Sequence, residues 1–423
     1  MSPRPRAAIV VTGSELVRGE RADLNGPFFA REALALGLEP GRITIVGDRP
    51  HELAAVLREA VSTADLCLVS GGLGPTHDDR TVELVAAAAG VPLVLDEELR
   101  TRIEEISRTI AERLSRPFAD FQQGIAKQST VPEGAVVLGP AGTAPGLVVS
   151  AGTCVVVVLP GPPSELQKLW PAALETRAVR DVLARGEPPV RRVLKLFGVS
   201  ESGVAEALRA AGGDGHGTEV TICARDFEIH VDVVSEPGME QRGETLLAAL
   251  RERLSGYVFA EGERSVQSIV LDLCRAQGWT LATAESCTGG LVAARLTDVP
   301  GSSDVFLGGV VAYANETKRD TLGVAGELLE QHGAVSAEVA AAMARGAALR
   351  LGTDVAVAVT GVAGPGGGSP EKPVGLVFCH AVSPEGELAS RFELPGARDW
   401  IRTRSAVAAL HLVRSLLSPA AES

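Results

Sequence analysis

The chain has 423 residues, of which 45% are apolar and 22% are charged, a globular composition with room for two or three domains. Its net charge of -13 argues against a dedicated nucleic-acid binder, which needs a basic face, so no direct nucleic-acid partner is predicted. The six cysteines are scattered without a CxxC pair, which is typical of reduced thiols. The chain shows no signal peptide and no apolar run of about 20 residues. We therefore expect a cytoplasmic protein with no membrane partner.

The amino-terminal part alternates short β-branched runs with amphipathic stretches. Strands are predicted at 7–12, 42–46, 65–70 and 153–159, and helices at 24–36 and 52–61. This alternation predicts an α/β domain over 1–172, with a mostly parallel sheet covered on both faces. Ligands bind at the carboxyl ends of such strands, so the loops after Thr12 and Ser70 are the expected sites.

The loop after Ser70 carries the strongest signal of this domain. It contains three glycines, Gly71, Gly72 and Gly74, and ends in the pair Asp78 and Asp79. Glycines let a phosphate approach the backbone, and paired carboxylates can hold a hard cation that bridges it. The alternative is that one aspartate only caps the next helix.

Residues 188–262 have a different pattern. A strand, a helix, two strands, a helix and a short strand follow one another, which predicts a small split β-α-β module of the α+β class. The segment 185–190 before it is rich in Pro and Gly and is typical of a linker. Nothing in the module gathers catalytic residue types, so we expect it to serve in spacing or dimer contacts.

The last region, 264–420, predicts a second α/β domain. Strands are expected at 279–284, 305–313, 354–360, 374–382 and 388–394, with helices from 266 and 288 and over 336–350 and 399–417. Three loops follow strand ends, at 284–290, 313–318 and 360–369. Asn315 is expected to cap a short helix in the second, and the third is rich in glycine and can line a substrate slot. Any one of these loops alone is usually just a turn.

Two of these loops supply a nucleophile and a base. Ser286 and Cys287 are both candidate nucleophiles, and Lys318 is one of only five lysines in the chain. Unlike a guanidinium, an amine can lose its proton and activate a serine, as Ser–Lys variants of the catalytic triad show. The backbone N–H groups of 288–290 are placed to bind an oxyanion or a phosphate. Cys287 remains the rival nucleophile.

Together these loops resemble the C-terminal domain of the CinA family. The resemblance rests on AESCTGG (284–290), the GSS turn (301–303), Tyr313 with Asn315 and Lys318, HGAVS (332–336) and GVAGPGGG (361–368). It implies hydrolysis of nicotinamide mononucleotide to nicotinate mononucleotide and ammonia, with no cofactor. The catalytic residues it implies are Ser286 as nucleophile, Lys318 as base and Tyr313 assisting. The substrate-binding residues it implies are Thr288, Gly289, Gly290, Ser303, Gly361, Gly364 and Arg402, the last pairing with phosphate in bidentate fashion.

The amino-terminal loops resemble the molybdopterin-binding (MoCF-like) fold of three α/β layers. GGLGPTHDD (71–79) carries that likeness, while TGSELVRG (12–19), GTAPG (142–146) and LPGPPSE (159–165) narrow it to the CinA branch. The branch implies a metal-dependent ADP-ribose pyrophosphatase using Mg, Mn or Co, with room for a monovalent cation. The implied nucleotide site comprises Gly71, Gly72, Gly74, Thr76 and Asn25. The implied metal ligands are Asp78, Asp79 and Glu15, with Glu165 as a further candidate.

The resemblance therefore implies a bifunctional enzyme of pyridine-nucleotide salvage, with small nucleotides as partners and a homodimer as its assembly. Two alternatives stay open. The amino-terminal domain binds a nucleotide or pterin without cleaving it, or the whole chain is a non-enzymatic adaptor in competence or DNA repair.

Overall fold

The computed structural model describes residues 4–418, and the chain divides into two compact units between Val190 and Arg191. The predicted domain ranges 1–172 and 264–420 reach residues 1–3 and 419–420, which lie outside the described part. Within residues 4–418, the helices are all too short or too polar to cross a membrane.

The first unit is an α/β domain. Its strands are β1 (Arg6–Thr12), β2 (Glu39–Val46), β3 (Leu66–Ser70), β4 (Leu93–Leu95), β5 (Thr130–Pro132), β6 (Val136–Pro140), β7 (Pro145–Ala151) and β8 (Cys154–Leu159). Its α-helices are α1 (Ser14–Val17), α2 (Asn25–Ala35), α3 (Pro50–Thr63), α4 (Thr81–Ala89), α5 (Glu97–Leu114), α6 (Gln122–Gln128), α7 (Pro163–Leu174) and α8 (Arg177–Leu183), and a 3-10 helix covers Phe118–Phe121.

Its main sheet has the order β2-β1-β3-β8-β7-β6, and the first four strands are parallel. Both faces are covered, since one apolar cluster packs α3, α4 and α5 against the sheet and another packs α2, α7 and α8 against the opposite face. This confirms the three-layer α/β fold. The loops after β1 and β3 lie side by side, because an added Cβ on Gly71 would be 2.5 Å from the Thr12 carbonyl oxygen.

The predicted end of this domain at residue 172 falls inside α7. The unit continues through α8, where Val179 and Val182 are buried in the core beside Trp170. The sequence boundary was therefore too early, because α8 carries an apolar stripe that only the sheet can bury.

The second unit begins with the middle module. It consists of β9 (Val190–Phe197), α9 (Glu201–Ala210), β10 (Thr218–Arg225), β11 (Glu228–Ser235), α10 (Glu240–Arg253) and β12 (Val258–Glu261). The strands form one sheet in the order β10-β11-β9-β12. Leu246, Leu247 and Leu250 of α10 pack with Leu194 and Val231 in the core of this sheet, which gives the α+β module that the sequence predicts.

The carboxy-terminal domain completes the second unit. Its strands are β13 (Leu281–Glu285), β14 (Phe306–Val311), β15 (Val355–Gly361), β16 (Leu376–Ser383) and β17 (Gly386–Glu393). Its α-helices are α11 (Val266–Gln277), α12 (Leu291–Thr297), α13 (Asn315–Leu322), α14 (Gly326–His332), α15 (Ala337–Leu351) and α16 (Arg398–Leu417), and a 3-10 helix covers Ser302–Asp304.

The sheet of this domain has the order β14-β13-β15-β16-β17, with β14, β13 and β15 parallel. Helices α11, α12 and α16 pack on one face, and α13 and α15 on the other. Because the three parallel strands are neighbours, the loops that follow them meet at one edge of the sheet. The three loops singled out in the sequence are these loops.

Candidate functional site

Ser286 and Lys318 meet at this edge of the carboxy-terminal sheet. Ser286 directly follows β13, and Lys318 lies one turn into α13, after the neighbouring strand β14. Lys318 Nζ is 3.1 Å from Ser286 Oγ, and both side chains are buried, at 1% and 8% exposure. The nucleophile and base that the sequence predicts are therefore within hydrogen-bonding distance.

Burial makes the Lys318 amine easier to deprotonate than an exposed lysine. Burial lowers the pKa of Lys318 below its usual 10.5. Nζ also donates to the carbonyl oxygens of Ala312, at 2.8 Å, and Tyr313, at 3.1 Å. A neutral amine has two hydrogens for these two carbonyls, which can only accept. Its lone pair is then left for the Ser286 hydroxyl, as a general base requires.

Cys287 is a poorer nucleophile in this position. Its thiol is 5% exposed, and burial raises its pKa to about 12. Only the thiolate attacks carbonyl carbon efficiently, and that form is scarce at neutral pH. The raised pKa of the Cys287 thiol and the contact between Ser286 and Lys318 therefore favour Ser286 as the nucleophile.

Glu285 determines how the turn after Ser286 is built. This buried carboxylate accepts the backbone N–H groups of Gly290 and Val292, each at 3.0 Å, and of Ala293 at 2.9 Å. The N–H of Gly289 donates to the carbonyl oxygen of Ser286. The prediction that the N–H groups of Gly289 and Gly290 are free to bind an anion is therefore wrong. The Ser286 carbonyl oxygen accepts the first and the Glu285 carboxylate accepts the second. Thr288 lies fully buried in the same turn.

Arg402 holds this turn from the opposite side. It lies in the second turn of α16, and its Nε and Nη2 donate to the carbonyl oxygens of Cys287 and Thr288, at 3.1 and 2.8 Å. These bonds use two of the five N–H donors of Arg402, so three remain for the predicted phosphate contact, which stays a prediction.

Ser303 lies away from Ser286. It is exposed in the 3-10 turn Ser302–Asp304, which precedes β14, whereas Ser286 follows the parallel neighbour β13. The two residues therefore lie at opposite ends of the sheet, and no hydrogen bond joins them within residues 4–418. The structure does not bring Ser303 into the site of its own chain.

Tyr313 lies at the mouth of the site. Its side chain is 61% exposed, and its hydroxyl accepts a hydrogen bond of 3.0 Å from Arg398 Nη2. Arg398 Nη1 also donates to the carbonyl oxygen of Gly364, at 2.8 Å. Arg398, the first residue of α16, therefore connects the Tyr313 loop to the glycine-rich loop. None of the motifs in the sequence pointed to Arg398.

The glycine-rich loop is fixed by close packing. An added Cβ on Gly361 would be 2.7 Å from the Leu376 carbonyl oxygen, and one on Gly364 would be 2.6 Å from Val374 Cγ1. These two glycines leave space for the Leu376 carbonyl oxygen and the Val374 side chain, which pack against the loop. In the adjacent loop, the predicted cap at Asn315 is wrong, since Asn315 is the first residue of α13 and its side chain makes no capping bond.

The second candidate site lies in the first unit, at the loops after β1 and β3. Gly71 and Gly72 have φ values of +103° and +65°, and a Cβ on Gly72 would be 2.1 Å from Thr81 Oγ1. A Cβ on Gly74 would be 2.4 Å from Asp79 Oδ2. The turn therefore requires glycine for its conformation and to admit the Asp79 carboxylate.

The two aspartates converge on Thr76. The Thr76 hydroxyl contacts Asp78 Oδ1 and Asp79 Oδ2, and the Thr76 N–H donates to Asp79 Oδ2 at 2.9 Å. The bond from Thr76 lowers the pKa of Asp78. Asp78 and Glu15 line one cleft, of about 640 Å³, together with Asp48.

The carboxylates of Asp78, Asp79 and Glu15 form only part of a site for a hard cation. Within residues 4–418, no group of three His, Cys, Asp or Glu side chains is arranged to hold a metal ion. The predicted three-carboxylate set of Asp78, Asp79 and Glu15 is therefore not formed. Asp78 and Asp79 alone suit Mg²⁺, which proteins often hold with one or two carboxylates while substrate phosphates complete the shell.

Asn25 and Glu165 have structural roles in this unit. Asn25 is buried, and its amide donates to Ser70 Oγ at 2.8 Å and to the Gly161 carbonyl oxygen at 2.7 Å, tying together the loops after β3 and β8. The Glu165 carboxylate lies against Gly142, and burial raises its pKa.

Three family patterns match the chain. Residues 263–417 match the CinA C-terminal domain, residues 191–260 the damage-inducible protein CinA KH domain, and residues 8–178 the probable molybdopterin binding domain. A CinA-like protein of Mycolicibacterium gilvum is 48% identical over 98% of this chain and 99% of its own length. The chain belongs to the CinA family.

Two further proteins are similar to this chain. A CinA-like protein of Mycobacterium tuberculosis is 46% identical over 99% of each chain. Among solved structures, the competence/damage inducible protein of Agrobacterium tumefaciens is 41% identical and covers 38% of this chain and 100% of its own, with a TM-score of 0.36.

Proposed function

We propose that the carboxy-terminal domain of this CinA protein hydrolyses the carboxamide of nicotinamide mononucleotide, giving nicotinate mononucleotide and ammonia. The observation that carries the proposal is the buried contact of 3.1 Å between Ser286 Oγ and Lys318 Nζ. Its geometry suits an amidase, because an amide is a poor electrophile that needs an activated hydroxyl.

Lys318 transfers one proton in each half of the reaction. Neutral Lys318 takes the Ser286 proton as Oγ attacks the carboxamide carbon, and the lysine then gives that proton to the departing nitrogen. The C–N bond breaks, ammonia leaves and an ester on Ser286 remains. Water then attacks the ester carbon while Lys318 again serves as base, which releases the carboxylate and restores the serine. The two carbonyls around Nζ keep the amine oriented throughout.

Ammonia release from nicotinamide mononucleotide by the full chain tests this proposal. Ser286→Ala and Lys318→Met should each reduce the rate at least a hundredfold, in the range lost with a general base or nucleophile. Lys168→Met, which removes an exposed lysine of the first unit, should leave it unchanged. Wild-type protein without ammonia release, or a variant at Ser286 with full activity, would refute the amidase.

We propose as a second activity that the amino-terminal domain hydrolyses ADP-ribose to AMP and ribose 5-phosphate. The convergence of the Asp78 and Asp79 carboxylates on Thr76, beside a glycine turn, favours it. These carboxylates would hold Mg²⁺, Mn²⁺ or Co²⁺, which when bound supplies polarisation of the phosphoryl oxygens.

AMP formation from ADP-ribose, with and without each divalent metal, separates this activity from simple binding. Asp79→Asn should lose metal-dependent turnover, whereas Asp181→Asn, an exposed aspartate of the same unit, should keep it. Binding of ADP-ribose by calorimetry without AMP formation would instead support a nucleotide-binding domain. A chain inactive on both substrates would favour the adaptor. The homodimer and the cytoplasmic location stay predictions, and sedimentation analysis tests the first.

A further inference from the structure

The second unit contains a cavity that neither proposed activity uses. It has a volume of about 800 Å³ and opens between the middle module and α16. The module contributes Asp226, Phe227 and Glu228, and α16 contributes Asp399, Trp400 and Arg404. Cavities of this size, with aromatic walls and a few polar groups, are typical of small-molecule sites.

The module wall of the cavity is held rigidly. Asp226 and Phe227 form the turn between β10 and β11 with φ values of 49° and 76°, which non-glycine residues rarely adopt. The turn is anchored to the carboxy-terminal domain, because Asp226 pairs with Arg295 at 2.7 Å and the Phe227 ring packs edge-on against Phe392. The cavity is therefore formed before any ligand arrives.

Carboxylates outnumber cations among the residues that line the cavity. Glu228 is bonded to His411 at 2.9 Å and to His230 at 3.2 Å; burial raises its pKa, but these two bonds outweigh burial and lower it to about 2. Burial lowers the pKa of His411, and its bond to Glu228 opposes that shift. Asp399 is exposed and has no ion-pair partner within the described residues 4–418.

A planar cation already lies against the rings of this cavity. The Arg404 guanidinium carbon is 5.1 Å from the centre of the Trp400 ring and 6.0 Å from that of Phe227, and Nη1 donates to the Pro395 carbonyl oxygen. Three carboxylates line the cavity beside this one guanidinium. Asp226 pairs with Arg295, and Glu228 is bonded to His411 and His230, so Asp399 is the carboxylate without a partner among residues 4–418. The indole of Trp400 is still 57% exposed, so a second flat group can stack on it.

We infer that this cavity binds a flat aromatic cation of the pyridinium type, whose ring stacks on Trp400 and whose charge faces Asp399. Tryptophan is the strongest cation–π partner among the side chains, and an unpaired carboxylate beside it adds charge attraction. Anions such as free phosphate are repelled by the same carboxylates. The inference does not rest on the proposed amidase, because neither Ser286 nor Lys318 lines the cavity.

The test is a fluorescence titration of the full chain with 1-methylnicotinamide, using benzamide as the uncharged ring of the same shape. Pyridinium rings quench indole, and Trp400 is the most exposed of the three tryptophans. We expect saturable quenching by the cation and at least threefold weaker binding of benzamide. Equal binding of the two, or quenching that does not saturate, would overturn the inference without the use of any variant.

Variants locate the binding. Asp399→Asn should weaken the cation at least threefold, whereas the matched change Asp214→Asn, on an exposed loop of the module, should not. Trp400→Phe should remove the quenching while calorimetry still detects binding. Ser286→Ala, which prevents turnover if the amidase proposal holds, should bind the cation as the wild type does. Unchanged affinity in Asp399→Asn, or loss of binding in Ser286→Ala, would place the ligand elsewhere and overturn the inference.

Discussion

Replacing Glu285 by Gln tests how the turn beside the proposed nucleophile is stabilised. The Glu285 side chain is 1% exposed, and its two carboxylate oxygens accept three backbone N–H groups at the start of α12. Oε2 accepts two of them and Oε1 the third. A glutamine keeps one acceptor oxygen but turns its NH₂ group toward N–H donors, so at least one donor loses its partner.

The size of the effect follows from these bonds. A hydrogen bond to a charged group contributes about 1.5–3 kcal/mol, and leaving a buried N–H unsatisfied costs about 1–3 kcal/mol. The favourable interaction of the negative charge with the helix amino terminus is lost as well, at up to about 1 kcal/mol. We therefore expect Glu285→Gln to lower the free energy of unfolding of the second unit by about 3 kcal/mol.

Urea unfolding followed by circular dichroism measures this change. The matched control is Glu327→Gln, which removes an exposed first-turn glutamate of α14 and should cost less than about 0.5 kcal/mol. Ammonia release should also fall in Glu285→Gln, because the turn carries Ser286. A loss of less than about 1 kcal/mol, together with normal turnover, would refute the role given to this carboxylate.

Three further predictions concern titrating groups. Ammonia release should rise with pH and level off below pH 10.5, because burial lowers the pKa of Lys318 and the neutral amine is the active form. A rate that still rises above pH 10.5 would contradict this prediction. The Glu228 carboxylate, with a pKa near 2 instead of 4.5, should contribute about 3 kcal/mol of stability above pH 4.5 that is lost as the pH falls toward 2. Unfolding of wild type and Glu228→Gln across pH 2–7 checks this, and a stability gap independent of pH would exclude it. Cys287→Ala should retain turnover. Iodoacetamide at pH 7 should label Cys287 far more slowly than the half-buried Cys223, because burial raises the pKa of the Cys287 thiol to about 12 and leaves little thiolate; equal labelling rates would count against a buried thiol.

The sequence predicts the layout of both domains because hydrophobic periodicity, and the order of strands and helices along the chain, can be read from local segments. Alternating strands and helices imply parallel sheets, and parallel sheets bring the loops at their carboxyl ends together. That rule brings the loops that carry Ser286 and Lys318, residues 32 positions apart, to the same end of the sheet. Gly278 ends α11 with a φ of 69°, a left-handed conformation that glycine adopts readily, so this helix end is also a local feature of the sequence.

The partners of individual polar groups could not be predicted in the same way. Nothing in the sequence distinguishes Glu285 from other residues at strand ends. In the structure it is buried, and its carboxylate accepts backbone N–H groups at the start of α12, including that of Gly290, which was expected to be free. Arg402 and Arg398 both reach loops more than thirty residues away in the chain, so only the packing of α16 shows which carbonyl each one binds. Ser303 belongs to a recognisable turn, but that turn lies at the amino end of β14.

Acid quenching of the full chain during turnover of nicotinamide mononucleotide, followed by peptide mass spectrometry, tests the central claim most directly. The proposed reaction passes through an ester between the pyridine carbonyl and one hydroxyl. We predict an adduct of nicotinate mononucleotide on the peptide that contains Ser286, and no adduct in Lys318→Met. An adduct on Cys287, or steady ammonia release from a Ser286→Ala protein, would contradict the account.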